Sequence, residues 1–167
     1  LNNAYIGERM FKDCISLPTV SIPSCDTIGA SAFEGCVGLE TLDLSKATQI
    51  GAAMFKGCVN LGSSTQYVVT IPSLVSKIGE SAFENCTRLY AVSINSAVIS
   101  ANMFKGCATL NKVTINSNVS SIGSYAFANC TSLVEATLNN ALTSAYMFSG
   151  CTNMTKVTFS QTFRSVA

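Results

Sequence analysis

Residues 78–94 read IGESAFENCTRLYAVSI, and the same arrangement of Ile-Gly, Ala-Phe, Cys, Leu and Val-x-Ile returns along the whole chain. Seven phenylalanines are each followed three residues later by a cysteine, with spacings of 22, 22, 28, 21, 23 and 21 residues between successive phenylalanines. The pairs are Phe11–Cys14, Phe33–Cys36, Phe55–Cys58, Phe83–Cys86, Phe104–Cys107, Phe127–Cys130 and Phe148–Cys151. A nearly fixed period of this length predicts a repeat architecture with one structural unit per copy.

Each copy has two halves with different hydrophobic periodicity. The half that contains Val92 and Ile94 alternates apolar with polar residues, as a short strand with one buried face does. In the other half, from Ile78 to Cys86, apolar residues recur at spacings of three to five, which predicts a sharp turn followed by a helical turn. One such unit cannot bury its apolar face alone, so the copies are expected to stack.

The predicted fold is therefore α/β: a right-handed βα solenoid of about seven coils of 21–28 residues, with a parallel sheet on one face. Residues 1–167 form a single solenoid in this interpretation. Residues 1–4 match residues 138–141, and the last two residues correspond to Ile122-Gly123, so both ends cut through the repeat. We expect the chain to be a segment of a longer protein.

Neighbouring coils differ in a regular way. Methionine precedes phenylalanine in the odd coils and alanine does so in the even ones: Met10, Met54, Met103 and Met147 against Ala32, Ala82 and Ala126. Large and small residues in adjacent layers interdigitate well, which predicts a repeating unit of two coils. The residue after phenylalanine alternates in charge, and we expect these side chains to form an exposed ladder: Lys12, Glu34, Lys56, Glu84 and Lys105.

The composition excludes several classes of function. The chain has no histidine, so serine–histidine and cysteine–histidine nucleophile pairs and imidazole metal ligands are absent. Ten Lys+Arg against nine Asp+Glu, without a basic run, argue against nucleic acid and anionic membrane as partners. Apolar stretches are too short to insert into a membrane. We predict no enzyme activity, no catalytic residues, no cofactor and no metal site.

The eight cysteines are predicted to be buried free thiols. Equivalent positions in a stack point the same way, whereas a disulfide needs two Cβ atoms to converge. Cys25 lies outside the main series, where other odd coils have Val75 and Val119, so it replaces a hydrophobic residue. A disulfide between adjacent coils is the alternative.

Four Asn-x-Ser/Thr sequences occur, at Asn85, Asn118, Asn129 and Asn153. They could carry glycans if the source is eukaryotic. The alternative is structural, because Asn85 and Asn129 occupy the same repeat position, where small polar residues suit the end of a turn.

The repeat resembles the BspA-like leucine-rich repeats, whose units run Ile-Gly-x-x-Ala-Phe-x-x-Cys-x-x-Leu-x-x-Ile-x-Ile-Pro. Ile22-Pro23 and Ile71-Pro72 even keep the proline, whereas Ser100 and Ser144 replace the glycine and Met154 replaces the leucine. The resemblance implies a secreted or cell-surface protein, mostly of bacteria, that acts in adhesion or protein binding. It implies no shared catalytic residues.

The outward positions of the predicted sheet are the candidate binding surface. They include a column of mostly hydroxyl side chains: Ser21, Asp43, Thr70, Ser93, Thr114, Thr137 and Thr158. Tyr67 and Tyr90 lie beside this column on neighbouring coils, and exposed tyrosines are enriched at interaction hot spots. An insertion around residues 62–66 precedes Tyr67 and could form a binding loop, although loops tolerate insertions at little cost. The candidate partner-binding residues are Tyr67, Tyr90, Val68, Thr70, Ser93 and Gln66.

Three functions remain open at this point. The first is protein binding or adhesion, with a host or matrix protein as partner and a monomeric chain. The second is glycan binding by the same aromatic and hydroxyl face. The third is a structural spacer without a ligand of its own.

Overall fold

The computed structural model describes residues 4–22, 25–63, 67–138 and 144–159, and these contain thirteen short strands and no helix. We number the coils 1 to 7 by their phenylalanines. The front row has one strand in each coil: β2 (Thr19–Ser21), β4 (Thr41–Asp43), β6 (Val68–Ile71), β8 (Ala91–Ile94), β10 (Lys112–Ile115), β12 (Glu135–Leu138) and β13 (Lys156–Phe159). The back row has one strand before the phenylalanine in each of coils 1 to 6: β1 (Ala4–Ile6), β3 (Cys25–Ile28), β5 (Gln49–Ile50), β7 (Lys77–Ile78), β9 (Val98–Ile99) and β11 (Ser121–Ile122).

The front strands form parallel sheets whose inner residues build the core. Strands β6, β8, β10, β12 and β13 make one five-stranded sheet, and β2 pairs with β4 in a separate sheet. Val92 and Ile94 face the core, whereas Ser93 between them pairs in register with Thr70 and Thr114 on the outer face. The predicted parallel-sheet solenoid, of about six complete turns, is confirmed. The right-handed winding stays a prediction.

The βα form of the coil is not confirmed, because the segment around each phenylalanine is a series of turns. In this segment three N–H groups donate to carbonyls of the next coil and not to carbonyls of their own coil. They belong to the phenylalanine, to the residue two before it and to the residue two after it. In coil 2 these bonds are Ser31 to Ala52 at 2.8 Å, Phe33 to Met54 at 2.9 Å and Gly35 to Lys56 at 2.8 Å. An α-helix needs every N–H for its own i−4 carbonyl, so this bonding between coils excludes it.

The same turn segment contains two left-handed residues per coil. The residue two before phenylalanine has φ between 50° and 60°, and the residue two after has φ between 59° and 76°. The second position holds Gly, Asp or Asn, which tolerate this conformation best. Asn85 and Asn129 both lie there with φ of 60° and exposed side chains, which gives these two residues a structural role.

The back strands pair in twos, β1 with β3, β5 with β7 and β9 with β11, and so match the predicted two-coil unit. In each even coil a glycine N–H donates to the preceding odd coil, as Gly79 does to Ile50 at 2.8 Å. A Cβ on Gly79 would lie 2.2 Å from the backbone nitrogen of Ala52, so only glycine fits. Coil 5 is less restricted: Ser100 occupies this position there, and its hydroxyl donates to the Gly79 carbonyl at 2.8 Å.

The phenylalanines stack along the whole array. Adjacent rings are 5.1–5.7 Å apart between centroids, with interplanar angles of 10–22° except for 6° between Phe104 and Phe127. Phe83 is completely buried between two neighbours, whereas Phe11 in coil 1 is 38% exposed. The five phenylalanines from Phe33 to Phe127 are buried, and Phe148 in coil 7 is half-buried.

Replacing Phe83 with alanine should lower the free energy of unfolding by about 3–5 kcal/mol, because it removes a fully buried ring and leaves a cavity. Denaturant unfolding followed by circular dichroism measures this loss. Phe11→Ala is the matched control and should cost clearly less, since its ring is partly exposed. Equal losses for the two variants would contradict the buried ladder.

The cysteines form a second ladder beside the phenylalanines. Each thiol from Cys36 to Cys151 in the main series donates to the phenylalanine carbonyl of the preceding coil, with S···O distances of 3.1–3.2 Å. The seven cysteines whose side chains the structure describes are free thiols. Five of them are buried and Cys151 is half-buried, but the predicted burial is wrong for Cys14, which is exposed because coil 1 lies at the end of the described stack. Burial raises the pKa of Cys58 to about 12 and raises that of Cys107 well above its ordinary value. The side chain of Cys25 lies outside the described residues.

Alkaline pH should destabilise the fold through these thiols. Above about pH 9 an unfolded thiol loses its proton while buried Cys58 keeps it, so stability falls with rising pH by about 1.4 kcal/mol per pH unit for such a group. Cys58→Ala should therefore show a shallower decline between about pH 9 and 11, measured as urea-unfolding free energy at several pH values. Cys14→Ala, which removes an exposed thiol, is the control. If the free energy of unfolding falls with pH equally steeply in Cys58→Ala and in the wild type, the buried thiol of Cys58 does not stay protonated as expected.

The charge ladder is present over coils 1 to 4. Lys12 Nζ lies 3.3 Å from Glu34 Oε1, and Lys56 Nζ lies 2.9 Å from Glu84 Oε2. A hydrogen bond from Ser31 and the charges of Lys12 and Lys56 hold the pKa of Glu34 below its ordinary value. These partly exposed pairs help register more than stability.

Candidate binding surface

The outer face of the front sheet carries the predicted column of hydroxyl groups. Thr70, Ser93, Thr114, Thr137 and Thr158 pair strand by strand in register, as do Ser21 and Asp43 in the separate β2–β4 sheet. Thr70, Thr114 and Thr137 are exposed. The column can donate and accept hydrogen bonds across five paired strands.

A second outward column runs beside the hydroxyls at the start of each strand. In the five-stranded sheet it begins with Val68, which is 44% exposed, and continues with buried Ala91. It then alternates in charge through Lys112, Glu135 and Lys156, which are register partners on adjacent strands. The face is therefore apolar towards β6 and charged towards β13.

The front sheet is interrupted between β4 and β6, and the hydroxyl of Tyr67 fills the interruption. It accepts the N–H of Leu42 at 2.7 Å and donates to the carbonyl of the same residue at 2.6 Å. Leu42 is the central residue of β4, and in a continuous parallel sheet these two groups would bond to the next strand. One side-chain hydroxyl thus replaces a backbone ladder at this junction.

The insertion in coil 3 explains how Tyr67 reaches this place. In coils 1, 4 and 6 the residue just before the front strand receives an N–H from the next coil, as the Tyr90 carbonyl receives the N–H of Asn111 at 3.0 Å. In coil 3 Gly62 takes this backbone role: its N–H donates to Glu40 and its carbonyl accepts from Tyr90. Tyr67 therefore does not make the backbone bonds of this position, and its side chain lies between β4 and β6.

A crevice of about 650 Å³ lies on the front face at the interruption, and a second one of about the same volume lies over the continuous part of the sheet at β10 and β12. The walls of the crevice at the interruption come from β2, β4 and β6, with Leu42, Val68 and Pro72 as apolar surface and threonine and serine hydroxyls around them. Asp43 is the one charged residue among the described lining residues. Hydrogen bonds from the backbone N–H and the side chain of Ser45, and from Ser21, hold the pKa of Asp43 below its ordinary value, so the crevice carries a negative charge.

The predicted site residues are only partly brought together. Val68 and Thr70 are exposed at the crevice, and Ser93 lies on the adjacent strand. Tyr67 and Tyr90 are both half-buried rather than exposed, and Tyr67 is held by Leu42. Gln66 lies outside the described residues. The crevice residues of coils 1 and 2, Thr19, Thr41 and Leu42, were not among the predicted site residues, although the insertion before Tyr67 and Pro72 are both visible in the sequence.

Two exposed tyrosines on the turn side were also missed. Tyr125 and Tyr146 stack with 5.0 Å between ring centroids and an interplanar angle of 7°, and they are 39% and 64% exposed. Both lie two residues before a phenylalanine, at the first left-handed position of their coils. The repeat alignment would have revealed this pair, because the two residues occupy equivalent positions in adjacent coils.

Within the part of the chain that the structure describes, no group of three or more Cys, Asp or Glu side chains could hold a metal ion. In the same residues there is no long apolar helix of the kind that crosses a bilayer. The chemistry that the front face offers is hydrogen bonding and apolar contact.

Tyr67→Phe should lower the free energy of unfolding by about 1–3 kcal/mol, because it leaves the N–H and carbonyl of Leu42 without their partner. Chemical denaturation of the purified variant measures the change. Tyr90→Phe, on the next coil, is the matched control and should alter stability by less than about 0.5 kcal/mol. A Tyr67→Phe protein as stable as the control would show that the hydroxyl does not hold the junction.

Comparison with known proteins identifies the repeat. A family model described as the BspA type leucine-rich repeat region matches in six copies, over residues 2–98 and 62–167. No curated protein matches the chain.

Three solved structures match the chain. A leucine-rich cell surface protein from Faecalibacterium prausnitzii is 23% identical with a TM-score of 0.66, and the match covers 95% of this chain and 52% of that one. The Treponema pallidum (T. pallidum) leucine-rich repeat protein is 25% identical with a TM-score of 0.55, covering 77% and 71%. A leucine-rich repeat protein from Bacteroides ovatus is 21% identical with a TM-score of 0.46, covering 92% and 63%.

The chain spans about half of the Faecalibacterium protein and less than two thirds of the Bacteroides protein. The family model, in contrast, covers nearly the whole chain. Together with the stacked Phe-x-x-Cys turns and the parallel front strands, it establishes that the chain belongs to the BspA-type leucine-rich repeat family.

Proposed function

We propose that this chain is a non-enzymatic, secreted or cell-surface module that binds a partner protein through the outer face of its front sheet, in adhesion or a related interaction. The observation that supports this best is the hydroxyl column, which runs in register across five strands without using its outer groups to stabilise the core. One similar structure is named a cell surface protein, which favours the same location here.

The composition of the face suits a protein partner better than a nucleic acid. Its charges alternate in sign through Lys112, Glu135 and Lys156 instead of forming a basic surface. Apolar Val68 and half-buried Tyr90 lie on adjacent coils, so apolar and hydrogen-bonding groups are close together. Such a mixture is typical of protein interfaces.

Arginines placed in the middle of the front face should abolish binding without unfolding the chain. We suggest Ser93→Arg with Thr114→Arg, whose side chains pair in register on β8 and β10. A panel of purified extracellular-matrix proteins and a glycan array are tested with the wild type and this variant. At least one matrix protein should bind the wild type, and the variant should bind it at least tenfold more weakly, about 1.4 kcal/mol.

The matched control carries the same two new charges on the opposite side of the coil. Ala30→Arg with Ala145→Arg replaces two exposed alanines, each three residues before a phenylalanine, and should bind like the wild type. Binding to glycans alone would favour the glycan-binding alternative. Absence of any binding, or equal losses in the two double variants, would contradict the proposed interface.

A further inference from the structure

We infer that the crevice between β4 and β6 binds an extended peptide segment of a partner protein, which adds to β4 as a strand in place of the Tyr67 hydroxyl. The inference rests on the proposed protein-binding function and specifies the form in which the partner is recognised. It depends on the backbone groups at the junction rather than on the hydroxyl column.

The first observation is the way in which Leu42 is bonded. Its N–H and carbonyl both face the crevice, and both bond the Tyr67 hydroxyl, at 2.7 and 2.6 Å. In a parallel sheet the same two groups of one residue bond a carbonyl and an N–H from either side of the opposing residue. A peptide strand can supply both, so it can replace the hydroxyl without leaving Leu42 unpaired.

The second observation explains why the chain does not close the junction itself. The N–H that follows a front strand donates to the preceding coil, as Asn95 does to Ile71 and Asn116 does to Ile94, both at 2.9 Å. Pro72 holds the equivalent position in coil 3 and has no N–H. The edge of β4 therefore lacks its usual N–H donor at the C-terminal end of the strand. At the N-terminal end, Gly62 takes the backbone bonds that would otherwise start the ladder between β4 and β6.

The third observation is the chemistry of the crevice walls. Val68 and Pro72 provide apolar surface on the β6 side, and Asp43 on β4 provides an ionised carboxylate. A matching peptide is extended, carries a lysine or arginine near Asp43 and has a small apolar residue towards Val68. The volume of about 650 Å³ suits a short segment of a few residues rather than a folded element.

The test uses random 12-residue peptides displayed on phage and selected on the whole chain. Each selected peptide is synthesised unmodified and as a set of variants with one backbone nitrogen methylated at a time. Methylation at the residue whose N–H donates to the Leu42 carbonyl should weaken binding about tenfold or more, while methylation of the two neighbouring residues should have little effect. Methylation keeps the side chains unchanged, but it also makes the amide tertiary, so the variants methylated at neighbouring residues serve as controls for the change in backbone conformation.

Two variants of the protein complete the experiment. Tyr67→Phe removes the competing hydroxyl and should tighten peptide binding about tenfold, whereas Tyr90→Phe should leave it unchanged. Asp43→Asn should weaken the binding of peptides with a basic residue. The inference is overturned if no peptide is selected, if binding is insensitive to methylation at every position, or if Tyr67→Phe does not tighten it.

Failure of the proposed function gives a different result. The double variant Ser93→Arg with Thr114→Arg changes β8 and β10, which do not line the crevice, so it should keep the peptide affinity of the wild type. If that variant still binds matrix proteins like the wild type, the part of the outer face formed by β8 and β10 is not the interface and the proposed function fails, whatever the peptide measurements give. If it loses matrix-protein binding while no peptide is selected, the proposed function stands and the crevice inference is overturned.

Discussion

The phenylalanine carbonyls of the turn segments, from Phe11 to Phe127, each join two coils, and the rest of the solenoid depends on this contact. The Phe83 carbonyl, for example, accepts the N–H of Cys86 in its own coil at 3.3 Å and the thiol of Cys107 in the next coil at 3.2 Å. Both lone pairs of a buried acceptor are therefore satisfied. A thiol suits the position because it is small and apolar enough for a closed core and still donates a weak hydrogen bond.

The contact also explains why the cysteines are not a disulfide framework. The six sulfurs from Cys36 to Cys151 in the main series are each directed at a carbonyl of the neighbouring coil, which fixes these thiols as parallel donors. Burial raises their pKa values, and a protonated thiol reacts poorly with oxidants. The same rung carries a stacked phenylalanine and three backbone bonds to the next coil, so register is set from the turn side.

The turn side keeps this register where the front sheet loses it. Between coils 2 and 3 the thiol of Cys58 reaches the Phe33 carbonyl at 3.2 Å, and the N–H of Phe33 reaches the Met54 carbonyl at 2.9 Å, as at other junctions. On the front side the same two coils are joined through Gly62 and the Tyr67 hydroxyl instead of a strand ladder. An insertion of a few residues therefore opens one face without interrupting the stack.

Most of the fold could be predicted from the sequence, because ladders repeat at equivalent positions. Alternation in Val92 to Ile94 identified the front strand and its inner face, and the Phe-x-x-Cys spacing identified the buried rungs. The sequence could not show whether the segment around each phenylalanine is helical. Apolar residues have the same spacing in a helical turn and in the observed turns, whose N–H groups bond the next coil. The position of Tyr67 could not be predicted either. It depends on Gly62, and not Tyr67, making the backbone bonds to Glu40 and Tyr90 after the insertion.

Function is best sought where a repeat departs from its own rule. A residue on the outer face, such as Thr114, belongs to one rung of a ladder and makes no core contact, so it can change without loss of stability. Such freedom allows many partners but specifies none. The junction at Leu42 is different, because Pro72, Gly62 and Tyr67 together leave one residue's backbone pair bonded only to a side chain. The N–H and carbonyl of Leu42 are held by a hydroxyl that a ligand can replace, and they fix the direction of a bound strand. The ionised Asp43 beside them adds a negative charge that the ligand must match.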